Sequence, residues 1–74
     1  MPKLPTLKSK ELIKVLERVG FCFARQKGSH RIYTRNKALI VVPWHNKDLK
    51  KGLVKKIIKD AKLSTEEFIK LIKK

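Results

Sequence analysis

The sequence predicts an α+β fold in the order helix, three antiparallel strands, helix, short helix. Three observations predict it. Apolar residues repeat at helical spacing before Gly20 and again after Asp48. Between those stretches lie three short runs, FCFARQK, HRIYT and ALIVV, rich in aromatic and β-branched residues. The runs are separated by GS and RNK, which carry turn chemistry at hairpin spacing. At 74 residues the chain is expected to form one small domain over 1–74. Its core should be thin, because a chain of this size buries only about 60% of its unfolded surface.

Residues 1–7, with Pro2 and Pro5, read as an irregular lead-in. Ser9 is the expected N-cap of the first helix. Leu12, Ile13, Leu16 and Val19 form its apolar face, and Gly20 sits where helices commonly stop in the left-handed conformation. Phe21 to Lys27 is the first strand. Gly28-Ser29 reads as a two-residue turn with glycine first, as type II′ requires. Pro43 ends the third strand because it has no N–H to donate. Asn46 or Asp48 can cap the second helix, whose stripe is Leu49, Leu53, Val54, Ile57, Ile58 and Ala61. Gly52 weakens its first turn by about 1 kcal/mol relative to alanine. STEE at Ser64–Glu67 is a capping box that starts a short helix carrying Phe68, Ile69, Leu71 and Ile72.

The two main helices must cover one face of the sheet. The Gly28-Ser29 turn pairs Lys27 with His30 and Arg25 with Ile32, so strict alternation puts Phe21, Phe23, Arg25, Lys27, His30 and Ile32 on one face. A two-residue turn at Asn36-Lys37 adds Leu39 and Val41. The apolar members of that set are expected in the core, with Lys27 and His30 at its rim. The opposite face, with Cys22, Ala24, Tyr33, Ile40 and Val42 between Arg31 and Arg35, is then expected to be covered by a partner.

Charge dominates the composition. Twenty Lys+Arg against six Asp+Glu give a formal net charge of +14, which attracts polyanions. Residues 21–46 contain Arg25, Lys27, Arg31, Arg35 and Lys37 but no acid. A surface built for solubility intersperses both signs, so this clustering points to nucleic acid. The single Cys22 excludes an internal disulfide framework and fits a reducing compartment. No apolar run approaches the roughly 18 residues of a membrane span, and MPKLPTLKSKEL lacks a signal-peptide apolar stretch. A soluble, cytoplasmic location is expected.

The chemistry-bearing residues cluster in RQKGSHRIYTR, Arg25–Arg35. One Cys, two His and six scattered acids offer no metal-ligand spacing, and neither a P-loop nor a Ser/His/Asp order is present. No cofactor is expected, and an enzyme here would have to work with histidine and lysine. RNA permits that, because its 2′-hydroxyl is an internal nucleophile beside the scissile phosphorus. Histidine, with an unperturbed pKa of about 6.5, suits the proton transfer. Lys27 and Arg31 can stabilise charge building on the phosphorane oxygens. His30 reads either as that acid or base, or as a plain phosphate contact. His45 reads as a loop residue bonding backbone, or as a phosphate contact at the second helix's positive end. Tyr33 and Trp44 can stack on bases or pack in the core. Ser29 serves the turn or donates to a phosphate. The second helix's lysines, Lys50 and Lys51 among them, form a solvated face or a phosphate track.

Two segments together resemble a known family. Gly20-Phe21 followed by RQKGSHRIY is similar to the HicA toxin signature, and VVPWHNKDLKKGLVKKIIKDAKLSTEEF resembles that family's second half, from about Lys8 to Leu71 overall. Leu53 departs from it, following Gly52 where a small hydroxyl residue is expected. The resemblance implies a double-stranded-RNA-binding-domain-like fold. It implies a toxin of a type II toxin–antitoxin pair that cleaves mRNA without metal, His30 being the active histidine. A HicB-type antitoxin would hide it. The resulting expectation is an endoribonuclease with His30 as general acid/base and Arg25, Lys27, Gly28, Ser29, Arg31, Tyr33, His45, Lys50 and Lys51 contacting RNA. The alternative is a non-catalytic RNA-binding module on the same fold.

Overall fold

A computed structural model describes residues 4–73; Met1–Lys3, including Pro2, and Lys74 lie outside the described residues. The fold is α+β, in the expected double-stranded-RNA-binding-domain-like order: α1 (Ser9–Arg18), β1 (Cys22–Lys27), β2 (His30–Arg35), β3 (Ala38–Pro43), α2 (Lys51–Asp60) and α3 (Thr65–Ile72). The strands form an antiparallel sheet in the order β1-β2-β3. Both two-residue turns are present. Gly28 (φ 58°) and Asn36 (φ 53°) take the positive φ at their first positions, with Lys27 opposite His30 and Arg35 opposite Ala38.

The face assignment inverts the sequence expectation. Tyr33, Ile40 and Val42 are buried in the core cluster with Leu12, Leu16, Val54, Ile57 and Phe68 of the helices. Leu39 and Val41, expected inside, are 57% and 41% exposed. Ile32 is 9% exposed but stands outside the core cluster. The cause is a β-bulge between Phe23 and Arg25. One extra residue in β1 reverses side-chain parity along the strand. Near the turn the pairing is as expected, Arg25 with Ile32 and Lys27 with His30. Beyond the bulge, Phe23 pairs with Tyr33 and Cys22 with Thr34. Phe21 does reach the core, but it cannot be used to place Ile32 there. Phe23 shares the inward face with Tyr33, edge to face at 5.7 Å, yet is 52% exposed on the outermost strand. The face expected to await a partner is therefore the core, and the face carrying Arg25, Lys27 and His30 is the open one.

Three cap expectations have different outcomes. Ser64 caps α3 as expected: its Oγ accepts from Glu67 N at 3.1 Å, and Glu67 Oε1 accepts from Ser64 N at 3.2 Å. Ser9 is not a cap. Lys8 is the N-cap residue of α1, with Glu11 Oε1 accepting from its N–H at 3.0 Å, and Ser9 Oγ is buried, donating to the Pro43 carbonyl. Neither Asn46 nor Asp48 caps α2, which begins at Lys51 with Lys50 as N-cap and no side-chain cap bond. Leu49 thus precedes the helix. It is anchored in the core while its N–H donates to Leu7 O at 2.7 Å. α3 packs chiefly on α1 and α2.

Candidate functional site

The candidate site lies where three segments meet at one end of the sheet: the Gly28-Ser29 turn, the loop leaving β3, and the start of α1. Gly28 supplies the positive φ that type II′ geometry requires, and no atom lies within 4 Å of the position a Cβ would take there. The turn delivers His30 to the first position of β2, opposite both Lys27 and Pro43. Its imidazole is exposed. Cross-strand partners share a face, so His30 and Lys27 occupy the open face with Arg25, Ile32 and Val41 in the next row. This is an exposed histidine beside two cations, bordering the apolar surface of Val41 and Leu39.

The next residue, Arg31, points the other way. Its guanidinium lies 3.6 Å from the Trp44 ring centroid and 5.8 Å from that of Phe23. Its Nε donates to Gln26 Oε1 at 3.2 Å, and Gln26 Nε2 donates to the Gly28 carbonyl at 3.0 Å. Trp44 N–H donates to the Ser29 carbonyl at 2.6 Å. Both turn carbonyls are thus held from the inward face, by Gln26 and by the Trp44 backbone. Arg31 joins the expected site as a brace for the turn, on the opposite face from His30. Gln26 had no assigned role in the sequence reading. Its cross-strand position opposite Arg31 follows from the turn register and was a signal that could have found it.

The other expected residues separate. Tyr33 is 2% exposed, so its ring offers no face to a base; burial on the helix side of the sheet removes it from any RNA surface. His45 is six positions before the start of α2 and does not sit at that helix's end. Its backbone N–H instead lies 3.4 Å from Ser9 Oγ at the start of α1, and its Nδ1 accepts from Lys47 N–H at 3.2 Å. Lys50 and Lys51 are exposed at the opening turn of α2, which has no acidic residue to offset its positive end. Arg35, expected at the edge of a basic surface, is structural. Its Nη1 donates to Val19 O at 2.6 Å, its Nη2 to Ala61 O at 3.3 Å, and its guanidinium lies 4.6 Å from the Phe21 ring centroid.

Among the described residues, no three His, Cys, Asp or Glu side chains gather as a possible metal site. No described helix is long and apolar enough to cross a membrane. Cys22 is a free, exposed thiol. A search of curated proteins finds no match to the chain. A family model does match, that of the HicA toxin of bacterial toxin–antitoxin systems, over residues 9–63. That span runs from the first residue of α1 through α2, and takes in the turn, the histidine and the loop that braces them. A toxin of such a pair also implies an antitoxin partner. By this match, and by a fold that agrees with it, the chain belongs to the HicA toxin family.

Proposed function

We propose that this toxin is an endoribonuclease that cleaves mRNA with His30 as general acid/base and without a metal ion. The observation that carries the reading is the placement of His30: exposed, on the helix-free face, at a braced turn, in one row with Lys27 and next to Arg25. In the reaction the ribose 2′-oxygen attacks the adjacent phosphorus as its proton is removed. The bond from phosphorus to the 5′-oxygen breaks, that oxygen takes up a proton, and a 2′,3′-cyclic phosphate remains. His30 performs one of the two proton transfers. Lys27 and Arg25 face the same side and stabilise charge on the phosphorane oxygens. The turn's backbone and Ser29 hold the phosphate at the tip, and Lys50 and Lys51 extend the electrostatic track.

The antitoxin, of HicB type in this reading, covers the same open face. Leu39 and Val41 give it an apolar nucleus, and the surrounding cations favour an acidic partner. The cytoplasm, where mRNA and reduced thiols coexist, is the corresponding location.

The test is incubation of the protein with RNA in the presence of a chelator, alongside His30→Ala. Cleavage by the parent, with binding but no cleavage by the variant, is the expected result. If both proteins bind RNA and neither cleaves it, the chain is a binding module. If both cleave equally, His30 is not the catalytic group.

A further inference from the structure

We propose that a second nucleotide subsite adjoins the histidine turn, holding one unpaired RNA base against Trp44 and its phosphate on Lys10 and Lys14. The inference rests on the RNA-cleaving reading and adds a site that lies off the open face. A cleft of about 440 Å³ opens between α1 and the loop after β3, with Trp44 and His45 on one wall and Lys8, Lys10 and Lys14 on the other. That size falls within the roughly 300–1,000 Å³ of ordinary small-ligand sites. Lys10 and Lys14 are one helical turn apart, so both ammonium groups project from the same face of α1. The one acid in the cleft, Glu11, is engaged at the helix start, where its Oε1 accepts from Lys8 N–H at 3.0 Å.

Aromatic and basic walls together suit a single-stranded nucleic acid. Any base has a π-face to stack, and the lysines meet its phosphate. Arg31 already occupies one face of the indole at 3.6 Å, so the ring is fixed in place before a ligand arrives. The cleft is also continuous with the proposed reaction centre. Trp44 N–H donates to the Ser29 carbonyl, and Pro43, the preceding residue, pairs with His30. A strand whose scissile phosphate lies at His30 can turn over the end of the sheet and place a flanking nucleotide in the cleft. Such a subsite would fix the register of the strand at the cut while accepting any base.

Trp44 is the chain's single tryptophan, so tryptophan emission arises at this cleft, and the lysine variant separates binding there from binding at the turn. The full-length protein is titrated with an end-labelled 2′-O-methyl RNA of about six nucleotides, which lacks the attacking hydroxyl and stays intact. Emission and probe anisotropy are followed together. Saturable quenching at the concentration where anisotropy rises is expected. Lys10→Glu with Lys14→Glu, at two exposed positions, should weaken both signals at least tenfold without changing the circular dichroism spectrum. It should also flatten the dependence of log affinity on log salt by about 0.7, the value for one lost single-strand phosphate contact. Binding by anisotropy with unchanged emission overturns the subsite and leaves the role of His30 standing. Quenching that survives the charge reversal undiminished overturns it as well. Binding by neither signal overturns the RNA reading and the subsite with it.

Discussion

The two ends of β2 are built from the same parts and do different work. Each begins or ends at a two-residue turn whose first residue has positive φ, Gly28 or Asn36. Each carries an arginine on the inward face that lies over an aromatic ring, Arg31 over Trp44 and Arg35 over Phe21. At the Arg35 end, the helix termini come close, and the guanidinium satisfies the Val19 and Ala61 carbonyls where α1 and α2 finish. At the other end the α1 start is held by Ser9 on Pro43, and Arg31 is not its clamp. The guanidinium takes a ring and a glutamine instead, and the turn beyond it stays exposed with its histidine. The contrast teaches that a basic residue's role depends on which unsatisfied carbonyls the fold brings within reach. An arginine between helix ends becomes a structural clamp; one beside a free turn can only steady that turn.

This contrast can be tested at both ends. His30→Ala should lower RNA cleavage by roughly 10²–10⁴-fold, the usual range for a general acid or base, with the unfolding free energy within about 0.5 kcal/mol of the parent's. Arg35→Ala should leave the Gly28-Ser29 turn intact but destabilise the fold by about 3 kcal/mol, for two charge-assisted bonds to part-buried carbonyls. Denaturant unfolding would measure it, and a loss under 1 kcal/mol would show that the clamp is ornamental.

The glycines sharpen the same comparison. Gly20 has φ 97° and a Cβ there would lie 3.3 Å from Arg35 Cδ, whereas Gly28 has φ 58° and open space around it. Gly20→Ala should therefore cost about 2 kcal/mol or more, and Gly28→Ala about 1 kcal/mol from backbone strain alone. Equal losses in calorimetry would mean that Arg35 yields freely to the added methyl. The smallest stability change is expected at the open face. Leu39→Ser should alter stability by less than about 0.5 kcal/mol yet weaken capture of the co-expressed antitoxin. A large stability loss would show Leu39 to be core after all.

Much of the fold was legible because it rests on local chemistry. Gly28-Ser29 and Asn36-Lys37 specify their turns through the φ values those residues tolerate, and Ser64 with Glu67 specifies a cap through bonds three residues apart. Register next to a two-residue turn follows from the turn itself, which is why Lys27, His30, Arg25 and Ile32 were paired correctly. His30 was legible as the residue to test for the same reason. Ser9 misled because its hydroxyl found a partner thirty-four residues away, at Pro43, before it could serve its own helix. The α2 start was misplaced because Leu49 N–H bonds to Leu7 O and so lies outside the helix.

By itself the sequence determined the order of elements, both turns, the α3 cap and the concentration of positive charge around one histidine. These are set by residues within a few positions of one another. Which face of the sheet the helices cover, and hence that His30 lies in the open, was determined only in the assembled fold. One bulged residue reverses every side chain on its far side, and whether β1 bulges depends on packing Phe21, Tyr33, Ile40 and Val42 against helices that are distant in the chain.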